Sequence, residues 1–261
     1  MNSGEEALVV EDAVLRFRGI VAVDSVSFEV GAGTTFGVIG PNGAGKTALL
    51  NCISGIYRLD QGSILLYGQQ IQHHQPHRIT ALGLSRTFQS TEHFREFTVR
   101  DYVMLGRAQQ ARCSVLGSLL LWPIAERAER AERQRAMAVL DRLGLVEFAT
   151  ERLSDLPYGV QKRVDIARAV AAEPKIMLMD EPTSGTTTSE RDAVSHTIRT
   201  VAATGVTIVV IDHDVDFVTR HCDRVLVVNY GRAIGVGTPK EMLGRPEVVE
   251  AFLGTPVGHS A

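Results

Sequence analysis

Apolar side chains recur at alternate positions over residues 8–17 and 21–30, and the short link Arg18-Gly19-Ile20 between these stretches predicts an antiparallel pair of strands. A buried strand over 34–39 runs straight into a glycine-rich turn. Beyond that turn, 46–53 has helical spacing and Gly55 stands where a helix C-cap places glycine. A short strand is predicted over 63–67, between Gly62 and Gly68. From about 99 to 145 the pattern is helical throughout, and the pairs Glu126-Arg127, Glu129-Arg130 and Glu132-Arg133 predict a solvated helix face. Continuous apolar runs at 176–179 and 206–211, with a helix over 189–202 between them, predict a βαβ unit of parallel strands buried on both faces, with a right-handed crossover. Short strands over 225–229 and 232–236 flank Gly231, and two terminal helices are expected around 240–243 and 246–253. The class that follows is α/β: a mixed, mainly parallel sheet, an N-terminal antiparallel β subdomain and an inserted α-helical lobe.

Composition narrows what such a fold can do. With 261 residues and 44% hydrophobic content the chain can bury a sizeable core, as one large domain or one domain with an inserted lobe. A net charge of −3 gives no electrostatic footprint for nucleic acid, which is not expected as a partner. Cys52, Cys113 and Cys222 are far apart and lack CxxC spacing, which fits a reducing compartment. The first residues carry no secretory pattern, and the longest apolar run, 115–124, is about half of the roughly 20 residues a span needs. Any membrane role is therefore expected to come through a partner. His73, His74 and His77 lack fixed helical spacing or an acidic partner and predict an exposed loop.

The chemistry is concentrated in two places. Gly40-Pro41-Asn42-Gly43-Ala44-Gly45-Lys46-Thr47 matches G-x-x-x-x-G-K-[ST] and sits between a predicted strand and a predicted helix. The glycines let backbone N–H groups turn in on a β-phosphate, and the helix N-terminus adds its positive dipole end. Lys46 neutralises β/γ oxygens, and the Thr47 hydroxyl is placed to ligate Mg²⁺. The expected core is thus that of a P-loop NTPase, binding a nucleoside triphosphate with Mg²⁺. The apolar strand 176–179 then ends in Asp180-Glu181. Asp180 can hold Mg²⁺ through water and Glu181 can polarise an attacking water; adjacent residues of a strand point to opposite sides, so they cannot share one task.

With these motifs in hand the sequence resembles the ATP-binding-cassette (ABC) ATPases over nearly its whole length. Gln89, within Arg86-Thr87-Phe88-Gln89, is similar to the family's glutamine that reaches Mg²⁺ and couples the site to a membrane domain. Leu156-Pro157-Tyr158-Gly159-Val160-Gln161 is similar to the signature motif that caps the ATP of the opposite subunit. His213, in Val210-Ile211-Asp212-His213-Asp214, is similar to the switch histidine, and Phe17 falls where the family stacks an aromatic ring on adenine. The stretch 86–99, the Tyr-Gly form of the signature, the insertion near 111–135 and the tail 223–254 resemble the longer ATPase of importers for branched-chain amino acids and related polar solutes. The apolar stretch around 119–122 is expected to pack inside the lobe or help to dock.

The resemblance implies a single cassette domain, with 1–88 and 174–261 as core and 89–173 as helical lobe. It implies the catalytic residues Lys46, Glu181 and His213, and the nucleotide contacts Phe17, Gly40, Pro41, Asn42, Gly43, Ala44, Gly45, Lys46, Thr47 and Gln89. The metal would be held by Thr47, Gln89 and Asp180, and the partner's ATP by Tyr158, Gly159, Val160 and Gln161. It further implies a second ABC ATPase subunit, either a sister chain or a copy of itself, integral membrane permease subunits, indirectly a solute-binding protein, and a place on the cytoplasmic face of the membrane. Lipopolysaccharide export, a soluble ABC ATPase acting on nucleic acid and a small-molecule kinase stand as alternatives. Three positions depart from the family: Pro157 replaces a serine, Thr187 an Asp or Asn at the dimer seam, and Ala48 a second hydroxyl residue. Pro157, expected in the first helical turn, and Thr187 together imply that the site completed for the partner is the weaker of the two.

Overall fold

The computed structural model describes residues 5–88, 91–108 and 122–253. Its smaller sheet is built on β1 (Glu6–Phe17), which pairs antiparallel with β2 (Ile20–Gly31) on one edge and with β4 (Gln61–Leu66) on the other. The two-residue β5 (Gln69–Gln70) completes the order β2-β1-β4-β5. The larger sheet contains β3 (Thr35–Ile39), β6 (Leu84–Arg86), β7 (Ile176–Asp180), β8 (Thr207–Ile211), β9 (Arg224–Asn229) and β10 (Arg232–Gly237), in the order β10-β9-β3-β8-β7-β6. Its neighbours are parallel except for β10, which returns antiparallel on β9.

Every residue of β3, β7 and β8 is buried, as continuous apolar runs require when both faces of a sheet are covered. The period of two then divides the side chains between two cores. Ile176, Leu178, Val209 and Ile211 join Leu49, Leu50 and Ile53 of α1 (Lys46–Ile53) and the inner residues of the smaller sheet. Met177, Met179, Ile208 and Val210 face the other core. This core is filled by α3 (Val99–Leu105), α4 (Trp122–Arg142), α5 (Tyr158–Ala171) and α6 (Thr188–Ala202). Burial of each such aliphatic side chain contributes about 1.5–3 kcal/mol, so the two cores fix the ends of β3, β7 and β8 against each other. After β8 come α7 (Val215–His221), α8 (Pro239–Leu243) and α9 (Pro246–Leu253).

The structure corrects the sequence reading in places. His73 and His74 lie in a turn, as expected, but Pro76 opens the short α2 (Pro76–Ala81), which takes His77 into its first turn. The strand β6 escapes the pattern because three residues hold too little periodicity to register. Glu132 does not lie on a purely solvated face. It pairs with the buried guanidinium of Arg107, which also donates to the Ala171 carbonyl and to Glu173. The pairs Glu126–Arg130 and Glu129–Arg133 do lie in water, where such i,i+4 contacts are worth about 0.3–0.5 kcal/mol. Among the described residues no helix is long and apolar enough to cross a membrane. The stretch 111–121 and Cys113 lie outside the described residues, and Trp122 enters only as the start of α4.

Candidate nucleotide site

Three neighbouring parallel strands deliver the chemistry to one edge of the sheet. β3 runs into the 40–47 loop, β8 beside it into Asp212 and His213, and β7 beyond that into Asp180 and Glu181. In open α/β sheets ligands bind at the carboxyl ends of such strands.

The loop is shaped to receive an anion. Gly45, at the N-cap of α1, has φ +98°, and a Cβ there would come within 2.2 Å of the Ala22 carbonyl, so only glycine fits. No side chain caps α1 and no acidic residue occupies its first turn, leaving its N-terminal dipole for a ligand. Lys46 is 7% exposed, and its Nζ donates to the carbonyls of Gly40 at 2.7 Å and Pro41 at 2.9 Å. Burial holds the Lys46 ammonium below its ordinary pKa, opposed by the charges of Glu181 and Asp180. Pro41 lies at the loop's edge, Asn42, Gly43 and Thr47 are exposed, and Ala44 is buried, with its carbonyl accepting from the Gly231 N–H at 2.9 Å.

The carboxylates are held differently, but not by strand alternation as the sequence suggests: Asp180 ends β7, and Glu181 lies just past it with a left-handed backbone. The Asp180 side chain is 2% exposed and its Oδ2 accepts from Arg86 Nη2 at 3.0 Å. Burial raises its pKa, countered chiefly by the Arg86 charge. Arg86 also donates to Asn51 Oδ1 at 2.6 Å and Ser54 Oγ at 3.0 Å, clamping the far end of α1 to the end of β7. Glu181 is left-handed, with φ +48°, a conformation costing a non-glycine residue roughly 1 kcal/mol or more. Its N–H donates to the Ile211 carbonyl at 2.8 Å, while its own carbonyl accepts from Ser184 N–H and Lys162 Nζ. The side chain is thereby turned toward His213, whose Nδ1 stands 4.0 Å from Glu181 Oε1. Asp212, fully buried, accepts from the Thr183 N–H and hydroxyl and from the Asp214 N–H, locking the segments after β7 and β8 together.

Phe17, at the end of β1, is 41% exposed and meets Tyr57 edge to face at 5.0 Å. Tyr158, Gly159, Val160 and Gln161 form the first turn of α5, and Tyr158 is exposed. Gln161 is engaged within the chain: it donates to the Leu156 carbonyl at 2.9 Å and accepts from the Thr91 hydroxyl at 3.2 Å. Pro157 is the N-cap of this helix, one position before the first turn where the sequence places it, and has no side-chain acceptor to offer. Thr187 caps α6 and forms a capping box with Glu190. Gln89 lies outside the described residues. Arg86, Tyr57 and Asp212 have no signal of their own in the sequence, because each is defined by partners far along the chain, and Glu190 shows there only as the third residue of the box begun by Thr187.

A phosphate-cradling loop beside an Asp-Glu strand end defines a P-loop nucleoside triphosphatase. Residues 23–184 match the ABC transporter family, and the chain belongs to it as an ABC ATPase. It is 37% identical over 250 residues to the high-affinity branched-chain amino acid transport ATP-binding protein LivG of Escherichia coli, covering 95% of this chain and 97% of that one. It is 34% identical over 248 residues to the corresponding protein BraF of Pseudomonas aeruginosa, with 95% and 97% covered. A crystal structure of a nucleotide-free ATP-binding cassette from an ABC transporter superposes with a TM-score of 0.85 at 30% identity, over 95% of this chain and 99% of that one.

Proposed function

We propose that this chain is the ATP-hydrolysing subunit of a membrane importer for branched-chain amino acids or a related polar solute. It would work at the cytoplasmic face against permease subunits and a second ABC ATPase subunit, with a solute-binding protein acting upstream. The observation that supports this most is the convergence of Lys46, Asp180, Glu181 and His213 on the ends of three adjacent strands. The likeness to LivG and BraF over nearly the full length supports the solute class. Within the chain, 1–88 and 174–261 act as the core and 89–173 as the lobe that carries the signature.

In this reading the loop N–H groups and Lys46 bind the ATP phosphates, Phe17 takes the adenine face, and Tyr158, Gly159, Val160 and Gln161 face the nucleotide of the other subunit. The buried Asp180 and the exposed Thr47 hydroxyl suit a hard cation, so with Gln89 they would hold Mg²⁺. When bound, such an ion would supply positive charge to offset that of the phosphate oxygens. Glu181 orients the attacking water and accepts its proton as the water oxygen bonds to the γ-phosphorus and the bond to ADP breaks. Lys46 and His213 stabilise the charge on the γ-phosphoryl oxygens.

Two measurements test the reading. Removing the chain from its native cells is expected to abolish ATP-dependent uptake of radiolabelled leucine, isoleucine and valine, with recovery on return of the parent chain. Unchanged uptake of all three would exclude branched-chain amino acids as the solute. Phe17→Ala is expected to weaken binding of a fluorescent ATP analogue by about tenfold, on the order of 1–2 kcal/mol for a lost stacking face. An affinity unchanged within twofold would remove Phe17 from the site.

A further inference from the structure

The first turn of a helix leaves N–H groups that an N-cap side chain ordinarily accepts, from the second or third residue inside the helix. In α5 the N-cap is Pro157, which has no acceptor, yet the N–H of its second residue is not left open. Gly159 N–H donates at 3.0 Å to Oε1 of Glu190, which belongs to α6 and lies 31 residues away. The other oxygen of the same carboxylate accepts from the Thr187 N–H at 2.9 Å and the Thr187 hydroxyl at 2.8 Å. One carboxylate therefore serves two helix starts.

The fit is close. A Cβ on Gly159 would lie 2.5 Å from Glu190 Cβ and 2.6 Å from its Cγ, so any side chain there displaces Glu190. Hydrogen bonds from the Thr187 and Gly159 backbones, then from the Thr187 hydroxyl, hold the Glu190 carboxyl below the usual carboxylate range. Two more contacts follow the same seam. Lys162 Nζ donates to the Glu181 carbonyl at 3.3 Å, and the Tyr158 ring lies 3.0 Å from where a Cβ of Gly185 would stand. The segment 181–190 thus carries Glu181 at one end and the support of the α5 terminus at the other.

We propose that Glu190 is a positioning residue: it caps the start of α5 in place of the hydroxyl that Pro157 lacks, and so holds that terminus and the loop bearing Glu181 as one unit. This rests on the reading of 156–161 as the element that faces the other subunit's nucleotide. A change of occupancy there is passed through Glu190 and Thr187 to the loop of Glu181, linking the two nucleotide sites within one chain. Glu190 touches no nucleotide itself.

The test uses the full-length chain with Glu190→Asp, Glu190→Ala and the double variant Glu190→Asp/Pro157→Ser. Aspartate keeps an acidic group in the first turn of α6 but is one methylene short of Gly159. Glu190→Asp is expected to lower ATP turnover on the order of tenfold, to leave affinity for N-methylanthraniloyl-ATP within about twofold, and to speed amide exchange over 157–162. Adding Pro157→Ser supplies a cap hydroxyl and is expected to restore exchange protection and most of the turnover. Glu190→Ala should match Glu190→Asp in turnover but lose thermal stability through the α6 cap. Parent-like turnover in Glu190→Asp, or no recovery with serine at 157, overturns the proposal. Failure of the parent chain to bind the analogue would overturn the nucleotide reading instead, while amide exchange over 157–162 still decides whether Glu190 caps α5.

Discussion

Glu181→Gln is expected to lower ATP turnover by a factor on the order of 10² or more while ATP binding persists. The amide keeps the shape of the carboxylate but cannot take a proton from water. The binding elements, the 40–47 loop and Lys46, are untouched. The backbone at this position makes the expectation sharper. Glu181 holds φ +48° because its N–H and carbonyl are both committed, to Ile211 on one side and to Ser184 and Lys162 on the other. A strained residue held by its surroundings at a strand end points to a functional role for the side chain it aims. Glycine adopts the same conformation without penalty, so Glu181→Gly should lose turnover equally while keeping the thermal midpoint of the parent. Phosphate release by either variant at the parent rate would remove Glu181 from the chemistry.

How far the site could be read from the sequence follows from the range of its interactions. The 40–47 loop is one contiguous motif between a strand and a helix, so backbone geometry and phosphate chemistry sit in the same eight letters. The strands β3, β7 and β8 announce themselves because burial on both faces makes all but their terminal positions apolar or glycine. His213 is legible only through the resemblance, since a single residue after a strand carries no period, whereas Glu181 is marked by the apolar strand that ends in Asp180-Glu181 together with the phosphate loop upstream. Arg86 is set against Asp180 across 94 residues and stands on a three-residue strand, so neither spacing nor pattern marks it. Glu190 looks like an ordinary third residue of a capping box, and its second duty at Gly159 exists only because α5 and α6 pack together. Pro157 illustrates the same limit. Its identity is plain in the sequence, but its consequence depends on which neighbour supplies the missing acceptor.

The second large effect is expected from Arg86→Met, which should destabilise the fold by about 3–5 kcal/mol, because removing one partner of a buried ion pair strands the other charge. Both members are well covered, with side chains 18% and 2% exposed, and the guanidinium makes three bonds at once, to Asp180, Asn51 and Ser54. For a chain of this size the loss corresponds to roughly 10 °C in thermal midpoint. Methionine can fill part of the volume but leaves the buried Asp180 without its guanidinium partner, with burial already pushing its pKa upward. If the charge is the cause, adding Asp180→Asn to Arg86→Met should recover part of the stability, and the double-mutant cycle should give a coupling larger than about 1 kcal/mol. A purely steric role for Arg86 predicts additive losses instead. Turnover should vanish once Asp180→Asn is added, since Asp180 stands at the strand end beside Glu181. A midpoint within about 2 °C of the parent in Arg86→Met would mean that the clamp between α1 and β7 is not what holds Asp180 in place.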